Sequence, residues 1–155
     1  MIIPKTQGIS FLEIMIVVAI VVILAALVAN PFIGFRNQQA LSGAAEEILS
    51  VLQQVRVKTL TAEGGSQYGV HFSSNQVTIF AGAIYNPGNP ANQSSDLSSA
   101  VTISNINLTG GGSDVIFQKL TGVTSQSGTI VVALSSDASE TKTVTINGNG
   151  ISDVN

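Results

Sequence analysis

From residue 14 to residue 29 the chain (IMIVVAIVVILAALVA) holds sixteen residues in a row without a polar side chain. Back to Ile9 only Ser10 and Glu13 interrupt the run. A segment apolar on every side cannot be the half-buried helix of a small soluble domain. At ~1.5 Å per residue, residues 9–29 span ~31 Å as a helix, about the thickness of a bilayer's hydrocarbon core, so the pattern predicts a membrane helix. Asn30-Pro31 closes the block. Pro31 removes an N–H and clashes with the turn before it, and Gly34 weakens a restart, which predicts a stop or kink. Leu41, Ala45, Ile48, Leu52 and Val55 then recur at spacings of four and three, with Ser42, Glu46, Gln53 and Gln54 off the stripe. That is an amphipathic helix, expected to end near Glu63-Gly64-Gly65 and to pack on a sheet.

After Gly65 the period changes from helical to two. Tyr68, Val70 and Phe72 alternate with Gly69, His71 and Ser73, and Ser74-Asn75 turns the chain into a strand over 77–80. Further strands are predicted over 101–108, 115–120, 129–134 and 143–147. Gly110-Gly111-Gly112, read as a hairpin turn, Ser127-Gly128 and Ser135-Ser136-Asp137 separate them. Residues 85–100 (YNPGNPANQSSDLSSA) read as a low-complexity loop with two prolines and little to bury.

Composition narrows the chemistry. The 155 residues include no Cys, which excludes a disulfide scaffold, a zinc-thiolate site and a thiol nucleophile together. Only 10% are charged and the net charge is −3. After Lys5 the basic residues, Arg36, Arg56, Lys58, Lys119 and Lys142, form no run, so nucleic acid is not an expected partner. His71 is the only His and stands at an alternating strand position, which favours a structural or surface role. Asp137 and Glu140 share one turn, but Ca²⁺ needs six to eight oxygens, so a solvated turn is expected there. Gly110-Gly111-Gly112-Ser113 opens no helix and lacks the lysine of a phosphate loop. No metal, cofactor or catalytic residue is expected, and the chain reads as no enzyme. A secretory signal peptide fits poorly: sites after Ala25, Ala26 or Ala29 place Ile23, Leu24 or Leu27 where a small residue belongs. It also explains neither Gly8 nor Glu13.

Those two residues carry a family resemblance. Lys5-Thr6-Gln7-Gly8-Ile9-Ser10-Phe11-Leu12-Glu13 resembles the class III leader of type IV prepilins and type II secretion pseudopilins. The resemblance implies that residues 1–8 are removed after Gly8 by a prepilin peptidase and that Ile9 becomes the N-methylated terminus. Glu13 then takes the place of the acid fifth in the mature chain. Phe is commoner than Ile at the first mature position. A carboxylate in the apolar part of a membrane helix costs about 2.5–3.5 kcal/mol. After cleavage Glu13 sits in the first turn, whose free N–H groups favour an anion. In assembled pilins the resemblance implies a neighbouring subunit's terminal amine as its partner. It also implies that the stretch around Pro31 and Gly34 can melt in the filament.

Leu52-Gln53-Gln54-Val55-Arg56, Gly69-Val70-His71-Phe72, Val115-Ile116-Phe117 with Gly122, and Val144-Thr145-Ile146 before Gly148 and Gly150 are similar to the GspH/FimT minor pseudopilins. DNA-binding members of that family carry Arg near the C-terminus, where this chain has Gly150-Ile151-Ser152-Asp153-Val154-Asn155. The resemblance implies an α+β pilin fold with a long N-terminal helix packed against a C-terminal antiparallel β-sheet head. Its parts are a leader (1–8), a membrane-spanning assembly helix (9–30), the amphipathic half of that helix (31–65) and the head (66–155). The expected function is structural: a single-pass inner-membrane protein with its head outside the cytoplasm, built as a minor, tip-proximal subunit into a type IV pilus or type II secretion pseudopilus. Expected partners are the peptidase, other pilin or pseudopilin subunits and the inner-membrane assembly platform. The alternatives are a major pilin of the filament shaft, or a membrane-tethered module that uses residues 85–100 to hold DNA, a surface or a secreted protein.

Overall fold

A computed structural model describes residues 8–155, without the side chains of 27–33. The leader before Gly8 lies outside the described residues. The described chain divides into two compact units, one ending at Arg36 and one comprising Asn37–Asn155. One helix, α1, Phe11–Leu60, contributes to both. It stays helical through Pro31 and Gly34, so the expected stop is not seen. A proline removes only one backbone donor, and a helix can continue across that single gap. The side chain of Pro31 is outside the described residues.

In the second unit the predicted stripe is the buried face of α1. Leu41, Ala45, Ile48, Leu52 and Val55 are all at most 4% exposed, while Glu46, Gln53 and Gln54 face outward. Ala44 and Thr59 join the buried side. Thr59 can be buried because its hydroxyl donates to the Val55 carbonyl at 2.9 Å and accepts from the Tyr68 N–H at 3.1 Å. The helix ends at Leu60, before the predicted Gly pair, because Ala62 already adopts a left-handed conformation (φ 49°). A short 3-10 turn, Glu63–Gly65, follows with Gly64 and Gly65 also at positive φ.

The remaining chain forms eight strands: β1 (Tyr68–Phe72), β2 (Gln76–Ala81), β3 (Gln93–Asp96), β4 (Val101–Leu108), β5 (Asp114–Ile116), β6 (Gly128–Leu134), β7 (Thr141–Ile146) and β8 (Ser152–Val154). They make two antiparallel four-stranded sheets, in the orders β3-β2-β1-β5 and β4-β6-β7-β8. Val70, Phe72, Val77, Ile79 and Val115 from the first sheet meet Val101, Ile103, Ile130, Val132, Val144 and Ile146 from the second in one core, together with the α1 stripe.

The head's antiparallel strands divide into two sheets. Three expectations are corrected. The triple glycine is no hairpin turn: β4 and β5 belong to different sheets, and Gly110, Gly111 and Gly112, all at positive φ, carry the chain between them. The strand expected over 115–120 stops at Ile116, because Leu120 takes a left-handed conformation (φ 68°) and only the Phe117–Thr124 bridge continues the pairing. Residues 85–100 are not all loop, since β3 pairs with β2 and Leu97 is buried behind it. β3 has no β-branched residue. Side-chain bonds across the pair hold it: Gln76 Nε2 donates to Asp96 Oδ1 at 2.6 Å, and Thr78 and Ser94 hydroxyls bond at 2.9 Å. β8, three residues long, was also beyond the alternation pattern.

Candidate functional site

The first unit places the residues singled out at the N-terminus on the opening turn of α1. The Ser10 carbonyl accepts the N–H groups of Glu13 and Ile14 at 3.0 and 3.2 Å, so the helix begins directly after it. Glu13 is the acid of that first turn, and its side chain is exposed. Ser10 and Glu13 have the Ser-x-x-Glu spacing of a capping box, a further local signal of a helix start. Glu13 stands at the positive end of the helix, where free N–H groups favour an anion. Gly8 has nothing within 4 Å of where a Cβ would stand, and Ile9 is 71% exposed. Gly8, Ile9 and Glu13 therefore lie together on one accessible segment.

Around and beyond Glu13 the helix is apolar on all sides. Phe11, Leu12, Ile14, Met15, Ile16, Val17, Val18, Ile20, Val21, Val22, Ile23 and Leu24 are each between 47% and 80% exposed. Fully burying one such side chain is worth about 1.5–3 kcal/mol, so this surface strongly favours apolar surroundings. Among the described residues no helix is long and apolar enough to cross a membrane. The described side chains of the apolar run end at Ala26.

The polar residues of the head are mostly engaged locally. His71 Nδ1 lies 2.6 Å from Asp114 Oδ1, its cross-strand partner on β5, and its ring stacks on Tyr85 at 3.9 Å and 9°. His71 thus fastens an edge strand and the start of the 85–100 segment, the structural role expected of it. Asp137 accepts from the Ser139 hydroxyl at 2.6 Å and the Ser139 N–H at 3.0 Å, and these bonds hold its carboxyl below the ordinary carboxylate range. The turn that holds Asp137 and Glu140 is bonded within itself, and among the described residues no three potential metal ligands group together. Lys58 pairs with Glu63 at 3.1 Å, Lys119 donates to the Gly65 carbonyl at 2.7 Å, and Arg56 donates to the carbonyls of Gly122 and Asn149. These three cations each have a local partner of their own.

No protein-family model matches the chain, and no curated protein matches its sequence. Solved structures do match its fold. The type IV minor pilin FimU of Pseudomonas aeruginosa superposes with a TM-score of 0.59 at 14% identity, over 78% of this chain and 92% of FimU. A second crystal form of FimU gives 0.57 at 15% identity, over 74% and 92%. The minor pseudopilin EpsH from the type 2 secretion system of Vibrio cholerae gives 0.55 at 12% identity, over 74% of this chain and 95% of EpsH. The fold is thus shared with a minor pilin and a minor pseudopilin, an α+β arrangement of the kind the sequence resemblance implied.

Proposed function

We propose that this chain is a structural subunit of a type IV pilus or type II secretion pseudopilus, built in as a minor, tip-proximal component. The observation that carries the reading is the union of two features in one chain. A helix that is apolar all round, with one acid in its first turn, precedes a head with the minor-pilin fold. In this reading residues 1–8 are cut away after Gly8 by a prepilin peptidase, Ile9 is N-methylated, and residues 9–30 hold the subunit in the inner membrane. Three further apolar residues, Leu27, Val28 and Ala29, complete that run in the sequence. During assembly the same surface moves from lipid into contact with other subunits and the assembly platform. Glu13 then pairs with a neighbour's terminal amine, a charge-assisted bond made in surroundings where an unpaired charge is expensive. Pro31 and Gly34 mark the stretch that melts as the subunit is drawn into the filament. Catalysis has no part in this account. The test is recovery: the chain should appear in filaments sheared from its native organism, at low abundance relative to the shaft subunit. A chain that dominates the filament is a major pilin instead.

A further inference from the structure

Arg56 lines an open hollow of about 300 Å³ on the head, together with Gln53, Val57, Gly150, Ile151 and Ser152. Its guanidinium donates from Nε to the Gly122 carbonyl at 3.3 Å and from Nη2 to the Asn149 carbonyl at 3.4 Å. Two of its five N–H groups are therefore used, both on neutral acceptors at long range. Among the described residues no carboxylate pairs with Arg56. The seat beneath it is built by glycine. Gly150 sits at φ 77°, and a Cβ there would stand 1.8 Å from the Gly122 carbonyl oxygen and 3.0 Å from Arg56 Nε. Two open apolar side chains stand in the lining with the cation, Val57 57% and Ile151 51% exposed, alongside the polar Gln53 and Ser152. Ser152 borders the same hollow, and its buried hydroxyl has no hydrogen-bond partner.

We propose that this hollow is a docking site for a carboxylate of an adjoining protein subunit, an Asp or Glu flanked by apolar residues. A fixed guanidinium matches a carboxylate fork. Val57 and Ile151 match the apolar flanks, and a χ1 rotation of Ser152 supplies a further donor. A nucleic-acid strand is the poorer fit, because Arg56 is the only charged residue in the lining and phosphate backbones need several cations. That the owner of the carboxylate is an adjoining subunit rests on the filament reading; the chemistry of the hollow does not.

The experiment uses the full ¹⁵N-labelled chain in detergent micelles, titrated with the blocked tripeptide acetyl-Ile-Glu-Ile-amide. Saturable shifts of the Arg56 Nε–H and the Ser152 amide are expected, at least about tenfold weaker with the Gln tripeptide, which lacks the charge. Arg56→Gln should abolish them. Because that variant also loses its bonds to two loops, Ser152→Ala is the second: it removes an unpartnered buried hydroxyl, so thermal stability should hold while binding weakens about threefold or more. Equal shifts with the Gln tripeptide, tighter binding of inorganic phosphate or a short DNA duplex, or no shift at all would overturn the proposal. Absence from sheared filaments, a different measurement, is what sinks the filament reading, so the two failures are told apart.

Discussion

Glu13 is the residue on which assembly turns in this account, and its chemistry separates assembly from folding. Replacing it with Ala removes a group that is expensive in a membrane, so the unassembled subunit should be at least as abundant in the membrane fraction. The same change should sharply reduce the amount in sheared filaments, and Gln should fail as well because it lacks the charge. Quantitative blotting of both fractions checks this, and normal incorporation of either variant removes Glu13 from the mechanism. Gly150 makes a different demand, on the head alone. Gly150→Ala forces a side chain against the Gly122 backbone at a left-handed position and should cost about 1–3 kcal/mol or more, read as a lowered melting temperature. Single residues were unevenly legible in the sequence. Glu13 stands out because an acid in an apolar block is locally anomalous. The ties of His71 to Asp114 and of Arg56 to Gly122 were not, because they join positions 43 and 66 residues apart.

Among the elements, the second half of α1 was the most readable, because a 3.6-residue stripe reports its buried face directly. Ile48 is fully buried, and Ile48→Ala should cost about 2–5 kcal/mol. Gln53→Ala, on the exposed side, should stay within about 0.5 kcal/mol by denaturant unfolding. Strands β1, β4, β6 and β7 were legible for the corresponding reason at period two. β3 was not, since Gln93, Ser94, Ser95 and Asp96 offer no apolar alternation and the strand exists through bonds to Gln76 and Thr78 and through Glu47, whose carboxylate accepts from the Ser95 hydroxyl. Thr78→Val should therefore loosen this edge while leaving the core intact. Amide exchange should speed up in β3, with β1 and β6 unchanged; uniform acceleration in all three would mean that Thr78 serves the whole core.

At the scale of the whole molecule, the fold and the proposed function draw on different parts of the chain. The likeness to FimU and EpsH, over 78% and 74% of this chain, is a likeness of fold. The head's division into two sheets could not be read from strand lengths, because whether Gly110-Gly111-Gly112 turns back within a sheet or crosses to another depends on packing far from it. The proposed function draws on the other end, on Gly8, Ile9, Glu13 and the apolar run, whose local sequence anomalies are read without any tertiary structure. The central claim is that these two parts belong to one processed filament subunit. Intact-mass and N-terminal analysis of the chain from sheared filaments tests it most directly. Removal of residues 1–8 from the 155 leaves 147, beginning with N-methylated Ile9, and that species should be found in the filament fraction. A chain that starts at Asn30, or one found only outside the filaments, would contradict the account.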